Sequence, residues 1–146
     1  MSFSNTFENS LALLLFNNTN IADVGDATGL RGSSAAGSLY ARLHTADPGE
    51  GGTGDTSEAT YTGYAPVAVA RSVAGFTVTG NQVTNAATIQ FGECTAGSNT
   101  ITHVSFCVGN GAGAVVLVRA ALSASRAVSS GITPLFNAGT VTGTLD

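Results

Sequence analysis

Turn-forming residues break up the second half of this chain at short intervals, leaving room only for strands between them. Gly80-Asn81, Ala96-Gly97-Ser98-Asn99, Gly109-Asn110-Gly111, Ser130-Gly131 and Ala138-Gly139 mark the breaks. Glycine and asparagine reach backbone conformations closed to other residues, so such dipeptides read as turns. The intervening segments have strand periodicity. In "SLYARLHT", Leu39, Ala41 and Leu43 fall on one face, with Tyr40, Arg42 and His44 on the other. "YAPVAVARS" turns Val67 and Val69 inward, and Pro66 places it at a strand start or a sheet edge. "GFTVTG", "QVTNAATIQF", "TITHVSFCVG", "GAVVLVRAAL", "SRAVSSG", "ITPLFN" and "TVTGTL" complete the series. "GAVVLVRAAL" is almost continuously apolar, which predicts a central strand buried on both faces. The pattern predicts an all-β, two-sheet antiparallel sandwich of about eight or nine strands, arranged as a jelly roll.

One helix is expected, in "SNTFENSLALLLF". Asn5 or Ser4 can cap it, and Glu8 follows Asn5 at capping-box spacing. Phe7, Leu11, Leu14 and Leu15 form its apolar stripe, while Leu13 and Phe16 fall outside it. Residues 17–38 carry Asn, Gly, Asp and Ser and read as an irregular connection. The chain thus divides into a helix and irregular arm over 1–37 and a β-sandwich over 38–146.

With 146 residues, the chain is long enough for one domain that buries roughly 68–70% of its unfolded surface. Charged residues make up only 10% of it, lysine is absent, and the net charge is −4. The five arginines, at 31, 42, 71, 119 and 126, form no basic patch. Nucleic acid and anionic membranes are therefore not expected partners. So few charges suggest a surface that is largely covered when the protein works. No run approaches the roughly 18 apolar residues of a membrane-spanning helix, and "LALLLF" has no flanking Lys or Arg to make it a signal peptide.

The densest set of polar groups is "HTADPGEGGTGDTSEATYTGY", residues 44–64. It holds Asp47, Glu50, Asp55 and Glu58 among glycines, with His44 at one end and Tyr61 and Tyr64 at the other. The acid spacing fits no calcium loop. His44 and His103 lack zinc-ligand spacing, and both are expected to point away from the core. Ser105 lies two residues from His103, too far along one strand for a nucleophile–base pair, with no nucleophile elbow and no third orienting group. "GNGAGA", residues 109–114, lacks the lysine of a phosphate loop and reads as a hairpin turn. Neither an enzyme nor a cofactor site is expected. Arg42 and Arg71 flank the loop and are expected to pair with its own acids or with a partner's carboxylates. Cys94 and Cys107 are expected as free thiols, because pairing "TIQFGEC" with "TITHVSFCV" would hold them about 20 Å apart.

The string "LYARLHTADPGEGGTGDTSEATYTGYAPVAVAR", with "GFTVTGN" and "AVSSGITPLFNAG", resembles small structural proteins of tailed bacteriophages. The matching positions are Leu43 to Gly49, Glu58, Tyr61, Gly63, Tyr64, Val67 and Ser129 to Phe136. The resemblance runs from about residue 38 to the end and does not include the N-terminal helix. It implies a capsid cement (decoration) protein with a jelly-roll fold, made in the host cytoplasm and placed on the capsid exterior. Such a protein would act as a homodimer bridging subunits of the major capsid protein through many modest contacts. A tail or tail-fibre component is the alternative implication; a carbohydrate-binding module is a separate reading, for which a chain with no tryptophan and three tyrosines offers little. On the cement reading Tyr61 and Tyr64 anchor a contact loop. Phe7, Leu11, Leu14 and Leu15 belong to an arm or dimer element, and Arg42 and Arg71 are interface cations.

Overall fold

A computed structural model describes residues 4–26, 29–30, 32 and 34–145. Among the described residues the protein is all-β apart from one N-terminal helix, as its pattern predicts. The elements are α1 (Asn5–Asn17), β1 (Ile21–Asp26), β2 (Gly29–Leu30), β3 (Ser38–His44), β4 (Val67–Ala70), β5 (Phe76–Thr79), β6 (Gln82–Asn85), β7 (Ile89–Gln90), β8 (Ser98–Val108), β9 (Val115–Ser129), β10 (Leu135–Phe136) and β11 (Thr142–Thr144). They form two compact units, one of residues 1–37, 70–88 and 136–146, the other of 38–69 and 89–135.

In the first unit, Ser4 caps α1 by accepting a hydrogen bond from the Phe7 N–H at 3.3 Å, and Asn18 closes it in a left-handed conformation. Since Ser4 rather than Asn5 is the cap, Glu8 stands one position past capping-box spacing. The fully buried positions of the helix are Glu8, Ala12 and Phe16, each one turn from the last. The expected stripe of Phe7, Leu11, Leu14 and Leu15 is only half-buried. Phe16 meets Phe76 of β5 edge-on at 5.2 Å, so the helix lies on the β5–β6 side of its unit. The Arg71 guanidinium closes the helix end by donating to the carbonyl of Leu14 at 3.0 Å and to Asn18 Oδ1 at 2.9 Å. A cation at a helix C-terminus meets the negative end of the peptide dipoles. Sheet order here is β11-β6-β5, with β1 and β2 as a separate antiparallel pair. The segment expected to be irregular therefore contains two strands.

The second unit is built on a four-stranded sheet, β4-β3-β8-β9, and contains β7, which pairs with β10. β4 starts directly after Pro66 and is an edge strand, so both placements that the proline allowed are met. "QVTNAATIQF" is not one strand. It splits at Ala86–Thr88 into β6 and β7, which join different sheets. The expected hairpin between the two cysteine segments is absent too: β8 pairs with β3 and β9. Cys94 and Cys107 are nonetheless free and buried.

The largest departure from expectation is β9. "GAVVLVRAAL" and "SRAVSSG" fuse into one strand of 15 residues at the sheet edge, with Val115 65% and Val118 39% exposed. The apolar run was read as doubly buried, but from Val115 to Ser129 the strand fully buries only Val128, which lies beyond that run. Hydrophobicity reports what a strand can bury, not which neighbours the topology supplies. β9 also shifts register against β8 twice, between Ile101 and His103 and between Phe106 and Cys107. Such irregularities make an edge less able to pair with other chains.

Candidate functional site

The loop that follows β3 folds back over the polar face of that strand. Alternation places Arg42 and His44 on the face opposite Leu39, Ala41 and Leu43, and an uncovered sheet would leave them in water. Instead Arg42 is 2% exposed and His44 is fully buried. His44 was expected to face away from the core. It faces a second, polar interior that the loop creates.

Arg42 is the centre of that interior. Its Nη1 donates to Glu58 Oε2 at 2.8 Å and to Asp55 Oδ1 at 3.1 Å, and its Nη2 donates to the Gly111 carbonyl at 3.0 Å. One guanidinium thus ties the loop to the β8–β9 turn. Asp55 Oδ2 accepts from the Gly113 N–H at 2.6 Å, which closes the same connection from the loop side. Glu58 Oε1 accepts the Tyr64 hydroxyl at 2.7 Å, and that hydroxyl oxygen accepts the Leu43 N–H at 3.1 Å. Burial, then the hydrogen bond to Glu58, pushes the Tyr64 phenol well above its usual range, so it stays a donor. Two carboxylates converge here on a guanidinium, which occupies the place a metal ion would need. Among the described residues no set of His, Cys, Asp and Glu side chains is arranged to hold a metal.

The two tyrosines anchor the loop to its own unit. Tyr61 is 3% exposed and donates its hydroxyl to the Gly92 carbonyl at 3.1 Å. Its ring meets Tyr64 edge-on at 5.4 Å, and Tyr64 stacks on Phe91 at 6.1 Å. The Asn99 side chain accepts from the N–H groups of Thr60 and Tyr61 at 2.8 and 2.9 Å. Gly63 has φ +101°, and a Cβ there would stand 2.1 Å from the Glu93 carbonyl oxygen. Only glycine allows both that conformation and that approach. The spacing E-x-x-Y-x-G-Y is thereby explained: one carboxylate, two ring anchors and one backbone contact dock the loop.

Beside this network lies a buried polar chain. His44 Nδ1 is 2.9 Å from the Thr56 carbonyl, so that nitrogen carries the proton, and Nε2 accepts from Ser105 Oγ at 2.7 Å. Ser105 Oγ is 3.4 Å from Cys107 Sγ, which leaves the thiol as donor to the hydroxyl. Burial lowers the His44 pKa and raises that of Cys107, so both remain neutral near pH 7. The serine's histidine neighbour is thus His44 on the paired strand, not His103. Cross-strand register brings them together, since Arg42 opposes Ser105 and His44 opposes His103. The arrangement has the hydrogen-bond order of a nucleophile and its base. Yet Ser105 is 1% exposed and His44 fully buried, so no substrate atom reaches the hydroxyl in this conformation. Each side-chain polar atom of this buried strip has a hydrogen-bond partner.

Two sequence-named residues lie elsewhere. Arg71 serves α1, in the first unit. Half-buried His103 shares a hydrogen bond with the Thr102 hydroxyl at 2.9 Å. Arg119, not singled out in the sequence, meets Asp47 at 3.4 Å on the surface. Only chain pairing brings those two together, 72 residues apart.

The closing "SSGITPL" segment, residues 129–135, belongs to the same unit through backbone bonds. Gly131 N–H donates to the Cys94 carbonyl at 2.8 Å, Cys94 N–H to Ile132 at 2.9 Å, and Phe91 N–H to Pro134 at 2.9 Å. A protein-family model described as "Gp80: Podophage GP4 fiber I protein gp80" matches residues 2–144 of the chain. None of the curated proteins compared with it matches.

Proposed function

This chain belongs to the podophage GP4 fiber I protein family, and from that premise we propose that it is a non-catalytic structural part of a bacteriophage virion, built into a fibre. The observation that carries the reading is the extent of the match, residues 2–144, which takes in the helix as well as the sheets. The loop chemistry supports it. Of the groups that suggested a site, Arg42, His44, Asp55, Glu58, Tyr61 and Tyr64 are occupied in holding the loop in place, and Ser105 hydrogen-bonds His44. A braced loop of this kind gives a rigid surface and needs no pocket. The exposed valines and scarcity of charge suit a surface that packs against other virion proteins.

Capsid cement is the second reading, favoured by the motif strings around residues 43–67 and 129–136. It would place a homodimer across major capsid protein subunits on the shell exterior. One measurement separates the two: the copy number of this chain per purified virion, counted by mass spectrometry against the major capsid protein. A small number of copies, matching the fibre attachment points, supports the fibre. Near parity with the shell subunit supports cement. Absence from the particle overturns both.

A further inference from the structure

We propose that Asn110–Gly111, at the tip of the β8–β9 turn, is a site of spontaneous deamidation coupled to the buried Arg42 brace. The pair is the only Asn-Gly step in the sequence. Residues 108–113 are all exposed, so water and base reach the turn from outside. Among the described residues no hydrogen bond is made by the Asn110 side chain or by the Gly111 N–H. A Cβ built on Gly111 would find nothing within 4 Å, so space is open around the reacting backbone. Glycine also leaves its own N–H unshielded and its backbone free to turn towards the amide.

The chemistry needs only water and hydroxide. The Gly111 nitrogen gives up its proton and attacks Asn110 Cγ. A C–N bond forms, the bond from Cγ to the side-chain nitrogen breaks, and ammonia leaves with the proton, giving a succinimide. Water then opens the ring at one of its two carbonyls. Attack at Cγ restores the backbone and leaves aspartate. Attack at the former backbone carbonyl leaves isoaspartate, whose chain runs through the side-chain carbons and is longer by one methylene. No electron is transferred at any step.

The position gives the reaction a consequence. The Gly111 carbonyl is the acceptor for Arg42 Nη2 at 3.0 Å, and Arg42 Nε is already without a partner. Lengthening the backbone between residues 110 and 111 displaces that carbonyl and leaves a second donor of a buried guanidinium unmet. Aspartate adds a charge at the surface but keeps the carbonyl in place. The two products therefore differ in their effect on the loop. This holds wherever in the virion the chain is placed.

The test ages the purified full-length protein at mildly alkaline pH and follows each asparagine by peptide mapping, with isoaspartate resolved from aspartate. Asn110 is expected to convert ahead of every other asparagine. Gly111→Ala, which has room for its methyl group, is expected to slow conversion many-fold. The isoaspartate form, separated by ion exchange, is expected to melt below Asn110→Asp. Survival of Asn110 while other asparagines convert overturns the site, as does a Gly111→Ala rate equal to the wild type. Equal melting of the isoaspartate form and Asn110→Asp overturns the coupling to Arg42.

Discussion

Gly54 lies against the guanidinium of Arg42: a Cβ on it would stand 2.8 Å from Nε, 2.9 Å from Cδ and 3.0 Å from Cζ. That contact explains why Arg42 Nε has no hydrogen-bond partner, and why the loop needs glycine where it passes the guanidinium. The backbone at Gly54 is itself tied down, its N–H donating to the Ala114 carbonyl at 2.8 Å.

Gly54→Ala should therefore destabilise by about 1–3 kcal/mol, the usual cost of overpacking a filled site. Gly63→Ala should cost more, since its Cβ would meet backbone rather than side chain, at a φ that alanine resists. Gly51→Ala, with nothing within 4 Å of its Cβ, should change stability by no more than about 0.5 kcal/mol. Urea unfolding of the three variants checks the order. Equal effects would mean that the loop does not pack on Arg42.

Arg42→Met should cost about 3 kcal/mol, the lower end of the range for breaking a buried ion pair. The lower end applies because the abandoned Asp55 is 44% exposed and can rehydrate, whereas Glu58 is only 17% exposed. Glu58→Gln keeps an acceptor for Tyr64 and should cost less. Limited proteolysis should show cleavage within residues 45–60 of Arg42→Met before any global unfolding.

Acid should weaken the protein through His44. Burial lowers its pKa in the folded state below the usual 6.5, so the unfolded chain binds the proton more readily. Stability then rises with pH across the window between the two values and falls as pH drops from about 6.5 towards the folded value. In melting scans over that window, His44→Gln should flatten the pH dependence while lowering stability overall. A slope unchanged by the substitution would remove His44 as its source.

The thiols of Cys94 and Cys107 should resist a thiol reagent in the native protein and react fully on denaturation, since both are buried and burial raises the Cys107 pKa. Fast native labelling of either would show that the sheet opens locally.

Val118→Thr should be almost neutral in the isolated chain, within about 0.5 kcal/mol, because the side chain is 39% exposed on an edge strand. Val104→Ala, on the neighbouring strand β8 and 4% exposed, should cost about 2 kcal/mol or more. Comparable losses at the two positions in solution would show that another chain covers β9.

The sequence alone determined the fold class, the helix and the strand β3 with its two faces, because local periodicity and turn residues act over a few residues. The thiols are free as expected, but not through the hairpin that the expectation rested on. The sequence also marked the 44–64 loop as special without showing how. Only the tertiary structure decided that the polar face of β3 is an interior, since that depends on a loop folding back over Arg42 and His44. Likewise, no local signal pairs His44 with Ser105, 61 residues away; strand register does that. The β9 reading failed for the same reason. An apolar strand is buried only where the fold places neighbours beside it, and among the described residues β9 pairs with one strand, β8, apart from a single bridge between Val115 and Thr53.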